Sequence, residues 1–196
     1  MEPMTKHNHF RSNIIHTAGR IFDSLGFKKA TMDHIASAIK KRKSSIYYYF
    51  KSKEEIFQSV VLQEAKVFRR TIIDSINNES NPHDKLKAYV ITRMNIIDTL
   101  GNFNKALQDK KLMHLEFVVR LKTLYDKEEI RLFRNILIEG VESGYFKIYD
   151  IDLAAIAFVT AMRGMENTFL LNKDDPFLSK KIEGVIQTIL YGIVRR

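Results

Sequence analysis

The chain has no cysteine in its 196 residues, which removes disulfides, a thiolate nucleophile and any Cys-based zinc site at once. Long apolar runs are missing too. The longest uncharged stretches, such as Leu153 to Met162 and Gly184 to Val194, fall short of the ~20 residues that a membrane span needs, and no secretory apolar segment stands near Met1. No alternating strand pattern, internal repeat or low-complexity tract is present. Lys43-Ser44-Ser45 lacks the upstream glycines of a phosphate-binding loop, and His114-Leu115-Glu116 lacks the i, i+4 histidine pair of a metalloprotease. His7-Asn8-His9 has no further ligands or carboxylates clustered nearby. With no pair of acids and no serine beside a base, an enzyme has nothing to rest on. These absences leave an all-helical cytoplasmic protein with no cofactor, no metal and no membrane as partner.

What is present begins with charge. The formal net charge is +9, and residues 1–50 hold nine Lys/Arg against three Asp/Glu, a net of +6 that leaves +3 for all the rest. About a quarter of the chain thus carries two thirds of the excess, as expected where that part alone meets a polyanion. The basic residues flank a compact aromatic segment and do not line a long amphipathic helix, which favours nucleic acid over an anionic membrane.

That segment is Thr31 to Phe57. Met32 to about Ile39 reads as a short helix with Ile35, Ala36 and Ile39 inward and Thr31 as N-cap. Lys40-Lys41-Arg42-Lys43 forms a basic turn, suited to holding phosphates beside a reading helix. From Lys43 to Phe50, at about 100° per residue, Ile46 and Phe50 share one face with Tyr47 on its flank, while Ser44, Ser45 and Tyr48 point outward. Small hydroxyl residues let a helix sit deep in a major groove. Ser52-Lys53-Glu54-Glu55 has the form of a capping box and starts a new helix. Ahead of this, Ile14, Ala18, Ile21, Phe22 and Leu25 fall at helical spacing over residues 10–25 and end at Gly26, while Met1 to His9 reads as a polar, mobile tail in which Lys6 could add a phosphate contact.

Ala18, Phe22, Gly26-Phe27, Thr31, Ile35-Ala36, Tyr47, Phe50, Lys53 and Ile56 match in register, over about 45 residues, the DNA-binding domain of the TetR family of bacterial transcriptional regulators, which this segment resembles. The resemblance implies that Thr31, Tyr47 and Lys53 hold phosphates and that Lys43, Ser45, Tyr48 and Tyr49 face bases; the charge of the turn and the outward helix face add Lys41, Arg42 and Ser44 to the DNA-binding set. One position departs from the family: its turn usually has Gly and then a small apolar residue, and here Lys40 and Lys41 stand there. A non-glycine residue in a left-handed turn costs about 1–2 kcal/mol, so the turn either accepts that strain or takes another shape.

Residues 53–196 form the second expected domain, with 1–52 as the first. Its opening helix, 52–77, is long enough to connect the two. Helices follow at about 83–100, 103–113, 116–143 with a possible interruption near Tyr125, 150–171, and 175–194 opened by Asp175-Pro176. Gly140-Val-Glu-Ser-Gly144-Tyr-Phe146 resembles a stretch of the family's second domain, which in that family dimerises and binds a small effector. Met94, Phe117, Arg120, Phe158, Met162 and Met165 are the candidate effector lining, because methionine suits adaptable pockets and bundles hold ligands between helices; core packing is the competing assignment for each apolar one. Arg93 and Arg163 lie in similar apolar stretches. Ala157, Ala161 and Gly164 on one helix, with Ile182, Ile186, Ile189 and Ile193 on the last, are the candidate dimer interface.

The sequence therefore reads as a homodimeric DNA-binding regulator, a repressor released from a double-stranded operator by a small hydrophobic or amphipathic effector. The rivals are a helix-turn-helix protein with no effector and a soluble helical enzyme with an incidental basic face.

Overall fold

The computed structural model describes residues 6–96, 99–171, 180–181, 183–184 and 187–188. Among them the regular structure is helical, with no strand: α1 (Lys6–Lys29), α2 (Met32–Ala38), α3 (Lys43–Tyr47), α4 (Lys53–Asn77), α5 (Pro82–Ile96), α6 (Gly101–Gln108), a 3₁₀ turn (Lys110–Leu112), α7 (Glu116–Glu142) and α8 (Ile151–Leu171). The all-α architecture expected from the sequence is the one found. Ile182, Ile186, Ile189, Ile193 and the Asp175-Pro176 start signal lie outside the described residues, as does the side chain of Met165.

Local signals set most helix ends. The Thr31 hydroxyl accepts the His34 N–H (3.2 Å) and caps α2. Ser52 Oγ accepts the Glu55 N–H (3.2 Å), and the Glu55 carboxylate reaches back to the N–H of Lys51 (2.6 Å), one residue earlier than in the usual box. Gly26, at φ 75°, breaks α1 where the sequence placed its end. The start of α1 differs from expectation: His7 to His9 are helical, and the His7 and Phe10 rings lie against Tyr49 (4.6 and 5.1 Å between centroids). α7 runs through Tyr125 without a break, with that ring packed on Phe68 (5.5 Å).

The turn between α2 and α3 accepts the strain. Lys40 has φ 54°, its N–H bonds the Ser37 carbonyl (3.1 Å), and the Lys41 N–H reaches back to the Ala36 carbonyl (3.0 Å). These two bonds make a Schellman ending with lysine where glycine is usual. The Gly140 motif has an equally direct cause. The Phe146 ring lies so close over Gly140 that a Cβ there would sit 1.9 Å from Cδ2, and Gly144 supplies the φ of +78° that returns the chain. The Phe146 N–H closes the turn on the Gly140 carbonyl (2.9 Å).

By contacts the chain divides into two compact units, residues 1–67 with 100–121, and residues 68–99 with 122–196. In the first, α6 is fastened to α1: Lys105 Nζ donates to the carbonyl and carboxylate of Asp23 (2.9 and 2.8 Å), and Asn102 Nδ2 donates to the Gly19 carbonyl (3.0 Å). Glu64 of α4 accepts from Asn102 Nδ2 (2.7 Å) and from the Phe103 N–H (2.8 Å) at the start of α6. In the second unit, one buried carboxylate ties three helices. Glu129 of α7 accepts from Tyr89 and Arg93 of α5 on one oxygen and from Arg163 of α8 on the other (2.9 Å). Arg163 also pairs with Asp126 (2.8 Å), so two arginines face two acids. Burial of charge is tolerable there only because every partner is present; removing one partner of such a set typically costs about 3–5 kcal/mol.

The left-handed Lys40 gives a stability prediction. Lys40→Gly should relieve strain and raise the unfolding free energy by about 0.5–1 kcal/mol, after allowance for the greater freedom of glycine in the unfolded chain. A higher urea midpoint at unchanged slope is the expected result; a lower midpoint would mean that the lysine is not strained.

Candidate nucleic-acid interface

α3 has five residues, too few to be stable alone, so its aim is set by what it buries. Ile46 and Phe50 are 0% exposed, and the Arg11 guanidinium stands 4.8 Å over the Phe50 ring. With that side fixed, Lys41, Arg42, Lys43, Ser44, Tyr47 and Tyr48 are exposed, and Ser45 and Tyr49 half-buried. Tyr48 is 76% exposed and Tyr47 48%. A surface with three cations, two hydroxymethyl groups and phenols offers donors to phosphate and both donors and acceptors to base edges.

Two of the expected contact residues already have protein partners. Lys43 Nζ donates to Asp33 Oδ2 of α2 (2.8 Å). That hydrogen bond, more than the attraction of the two charges, raises the Lys43 pKa above its ordinary value, with a smaller opposing effect of burial. Lys53 Nζ donates to the carbonyls of Phe27 (2.8 Å) and Ala30 (3.0 Å) and lies 4.4 Å from the Phe27 ring centre. Its ammonium thus fastens the start of α4 to the segment ahead of α2, leaving one of three N–H groups for a phosphate. Thr31 is exposed, and its hydroxyl can donate outward while accepting from His34.

Sequence reasoning missed Asp33 and the rings at the start of α1. His7 and Phe10 join Tyr48 and Tyr49 in one aromatic cluster beside a cleft lined by Phe10, Lys41, Ser45, Tyr48 and Tyr49. No local period links residues so far apart in the chain.

The candidate effector residues fall in different units. Phe117 packs on Phe57 in the first (6.0 Å), where Arg120 pairs with Glu116 on the surface (2.8 Å). Met94, Phe158 and Met162 belong to the second; Phe158 stacks on Phe133 (4.6 Å), and both it and Met162 are buried. The second unit also holds a cavity of about 130 Å³ lined by other residues, chiefly Phe68, Ile72, Ile73, Tyr89, Tyr125 and Leu132, with Arg131 and Asn135 among its polar groups. Ala157, Ala161 and Gly164 are exposed on α8, together with Leu153 and Ile156. Among the described residues no cluster of His, Cys, Asp or Glu could hold a metal ion, and no helix is long and apolar enough to cross a membrane.

Residues 14–60 match the profile of bacterial regulatory proteins of the tetR family. Over 175 residues, 89% of this chain and 91% of the relative, the sequence is 23% identical to the uncharacterized HTH-type transcriptional regulator YhgD of Bacillus subtilis. It is 24% identical over 157 residues, 70% of this chain and 83% of the relative, to IcaR of Staphylococcus aureus, a negative transcriptional regulator of the biofilm operon icaADBC. In fold it is similar to the transcriptional regulator FadR of Bacillus subtilis solved in complex with stearoyl-CoA, with a TM-score of 0.71, 21% identity, and coverage of 93% of this chain and 99% of that one.

The Asp33 contact yields a prediction. Asp33→Asn should free Lys43 and remove a negative charge from the face, tightening binding to random duplex and steepening its salt dependence by about one unit. Anisotropy titrations at several salt concentrations measure both, and an unchanged slope would mean that Lys43 does not meet phosphate.

Proposed function

We propose that the chain is a cytoplasmic homodimeric repressor of the TetR family, whose profile residues 14–60 match, that reads an operator through the outward face of α3 and is released by a small apolar or amphipathic effector. The observation carrying the reading is the exposed set Lys41, Arg42, Lys43, Ser44, Tyr47 and Tyr48, on α3 and the residues that flank it, opposite the buried Ile46 and Phe50. Lysine and arginine there neutralise phosphates, and Tyr48 with Ser45 discriminates bases. The negative regulation named for IcaR supports a repressor.

Specific binding needs two such faces, since half-sites lie roughly 34–36 Å or a multiple apart. The exposed Leu153, Ile156, Ala157, Ala161 and Gly164 of α8 are the self-complementary surface for the dimer. Small residues there let the helices approach closely.

For the effector, the cavity among Phe68, Ile72, Tyr125 and Leu132 replaces the methionine-lined site as the seat we favour. Its volume of about 130 Å³ is close to that of an engineered cavity that takes benzene, at about 150 Å³, so it admits one ring or a short chain. A polar end would meet Arg131 or Asn135 at the same wall. α4 and α7 each run from one compact unit into the other, and a ligand that favours one arrangement of these helices shifts operator affinity by its differential affinity for the two arrangements.

Tyr48→Ala should reduce discrimination between operator and random duplex by about tenfold or more, the share of one good base contact, with little change on random DNA. Equal losses on both would contradict base reading. In a panel of benzoate-sized and short-chain apolar acids, one or more should displace operator from the wild type and fail to do so from Leu132→Trp. Displacement unaffected by that substitution would put the seat elsewhere, and no displacement by any ligand would favour the regulator without an effector.

A further inference from the structure

We infer that His7 and Phe10, at the start of α1, are positioning residues for operator reading, which they serve by bracing Tyr49 and through it the projecting ring of Tyr48. The inference rests on the proposal that Tyr48 faces bases. A tyrosine with 76% of its surface exposed has no packing of its own to choose among its staggered rotamers, and each rotamer lost on binding costs free energy. What constrains it is ring contact. Tyr48 and Tyr49 meet edge to face at 5.0 Å; Tyr49 in turn receives Phe10 at 5.1 Å, also edge to face, and His7 at 4.6 Å, while His7 touches Tyr48 at 6.0 Å. All four distances fall in the range in which aromatic pairs attract.

The register of this brace is fixed from below. Arg11, one turn along α1 from His7, stands over Phe50 and donates to Ser59 Oγ of α4 (3.4 Å), so the start of α1 cannot slide without breaking those contacts. The brace also borders the cleft in which Lys41 and Ser45 lie beside Tyr48. A DNA base edge entering that cleft meets a phenol already held in place. His7 acts here through its ring contacts.

The test uses the full chain, an operator duplex and a random duplex of equal length, with anisotropy as the readout. His7→Ala should lower the operator-to-random affinity ratio about threefold to tenfold, the range one aromatic pair supports. His7→Phe keeps an aromatic ring without the ring nitrogens and should restore the wild-type ratio; His7→Lys supplies a positive charge without the ring and should show the ratio of His7→Ala with affinity for random DNA retained. A restored ratio in His7→Lys and a lowered one in His7→Phe would overturn the brace and assign His7 to phosphate contact. If Tyr48→Ala lowers the ratio and His7→Ala leaves it unchanged, the brace fails and the base-reading proposal stands. If Tyr48→Ala leaves the ratio unchanged, that proposal fails and the inference with it. Because His7 is exposed, unfolding is not expected, and matching thermal transitions of the three variants would establish that the ratios compare folded proteins.

Discussion

A helix of five residues cannot hold its own shape in water, and the surface proposed to face DNA depends on that limitation being met from behind. Ile46 and Phe50, both fully buried, anchor α3 so that every remaining side chain on it is turned outward or sideways. Its entry is set by the Schellman turn at Lys40, its first residue is tied to α2 by Asp33, and its last rings are tied to α1 by His7 and Phe10. Most of these ties are polar or aromatic contacts between elements distant in sequence. The helix gains a single orientation without gaining length, leaving a narrow rod able to enter a major groove of about 12 Å.

The second unit solves a different problem. A carboxylate shared by Tyr89, Arg93 and Arg163 locks α5, α7 and α8 together through groups that are costly to bury unless all are paired. Beside it lies a cavity walled by α4, α5 and α7, and the Tyr89 and Glu129 that line it are themselves members of the buried set. A ligand in that cavity would therefore press on residues with few alternative arrangements. Packed interiors respond to such pressure by switching between discrete states more readily than by deforming smoothly.

Much of this was legible in the sequence because it depends on short-range rules. The cap at Thr31, the box at Ser52, the break at Gly26, the inward Ile46 and Phe50 and the left-handed strain at Lys40 all follow from spacing or from one residue's conformational preferences. The helix-turn-helix could be recognised for the same reason, since its pattern is dense and local. What the sequence did not disclose depends on pairs far apart in the chain. Arg93 and Arg163 read only as charges in apolar helical stretches, and their convergence on the buried Glu129 has no sequence signature. His7 read as part of a polar tail because the rings that hold it, Tyr48 and Tyr49, come just after α3. Lys53 read as a phosphate ligand, and the two hydrogen bonds that it also gives to the backbone carbonyls of Phe27 and Ala30 had no local signal. The cavity escaped notice because its walls are ordinary aliphatic and aromatic residues, indistinguishable from core until the helices are assembled.

The central claim is that the outward face of α3 enters the major groove, twice per dimer. Protection of guanine N7 from methylation on operator DNA tests this most directly, since N7 is exposed only in that groove. Protected guanines are expected in two segments centred roughly 10–10.5 base pairs apart, or a multiple of that spacing, with about tenfold more protein needed for the same protection when Tyr48 is replaced by alanine. Unprotected N7 positions across a site that is otherwise occupied would contradict the claim.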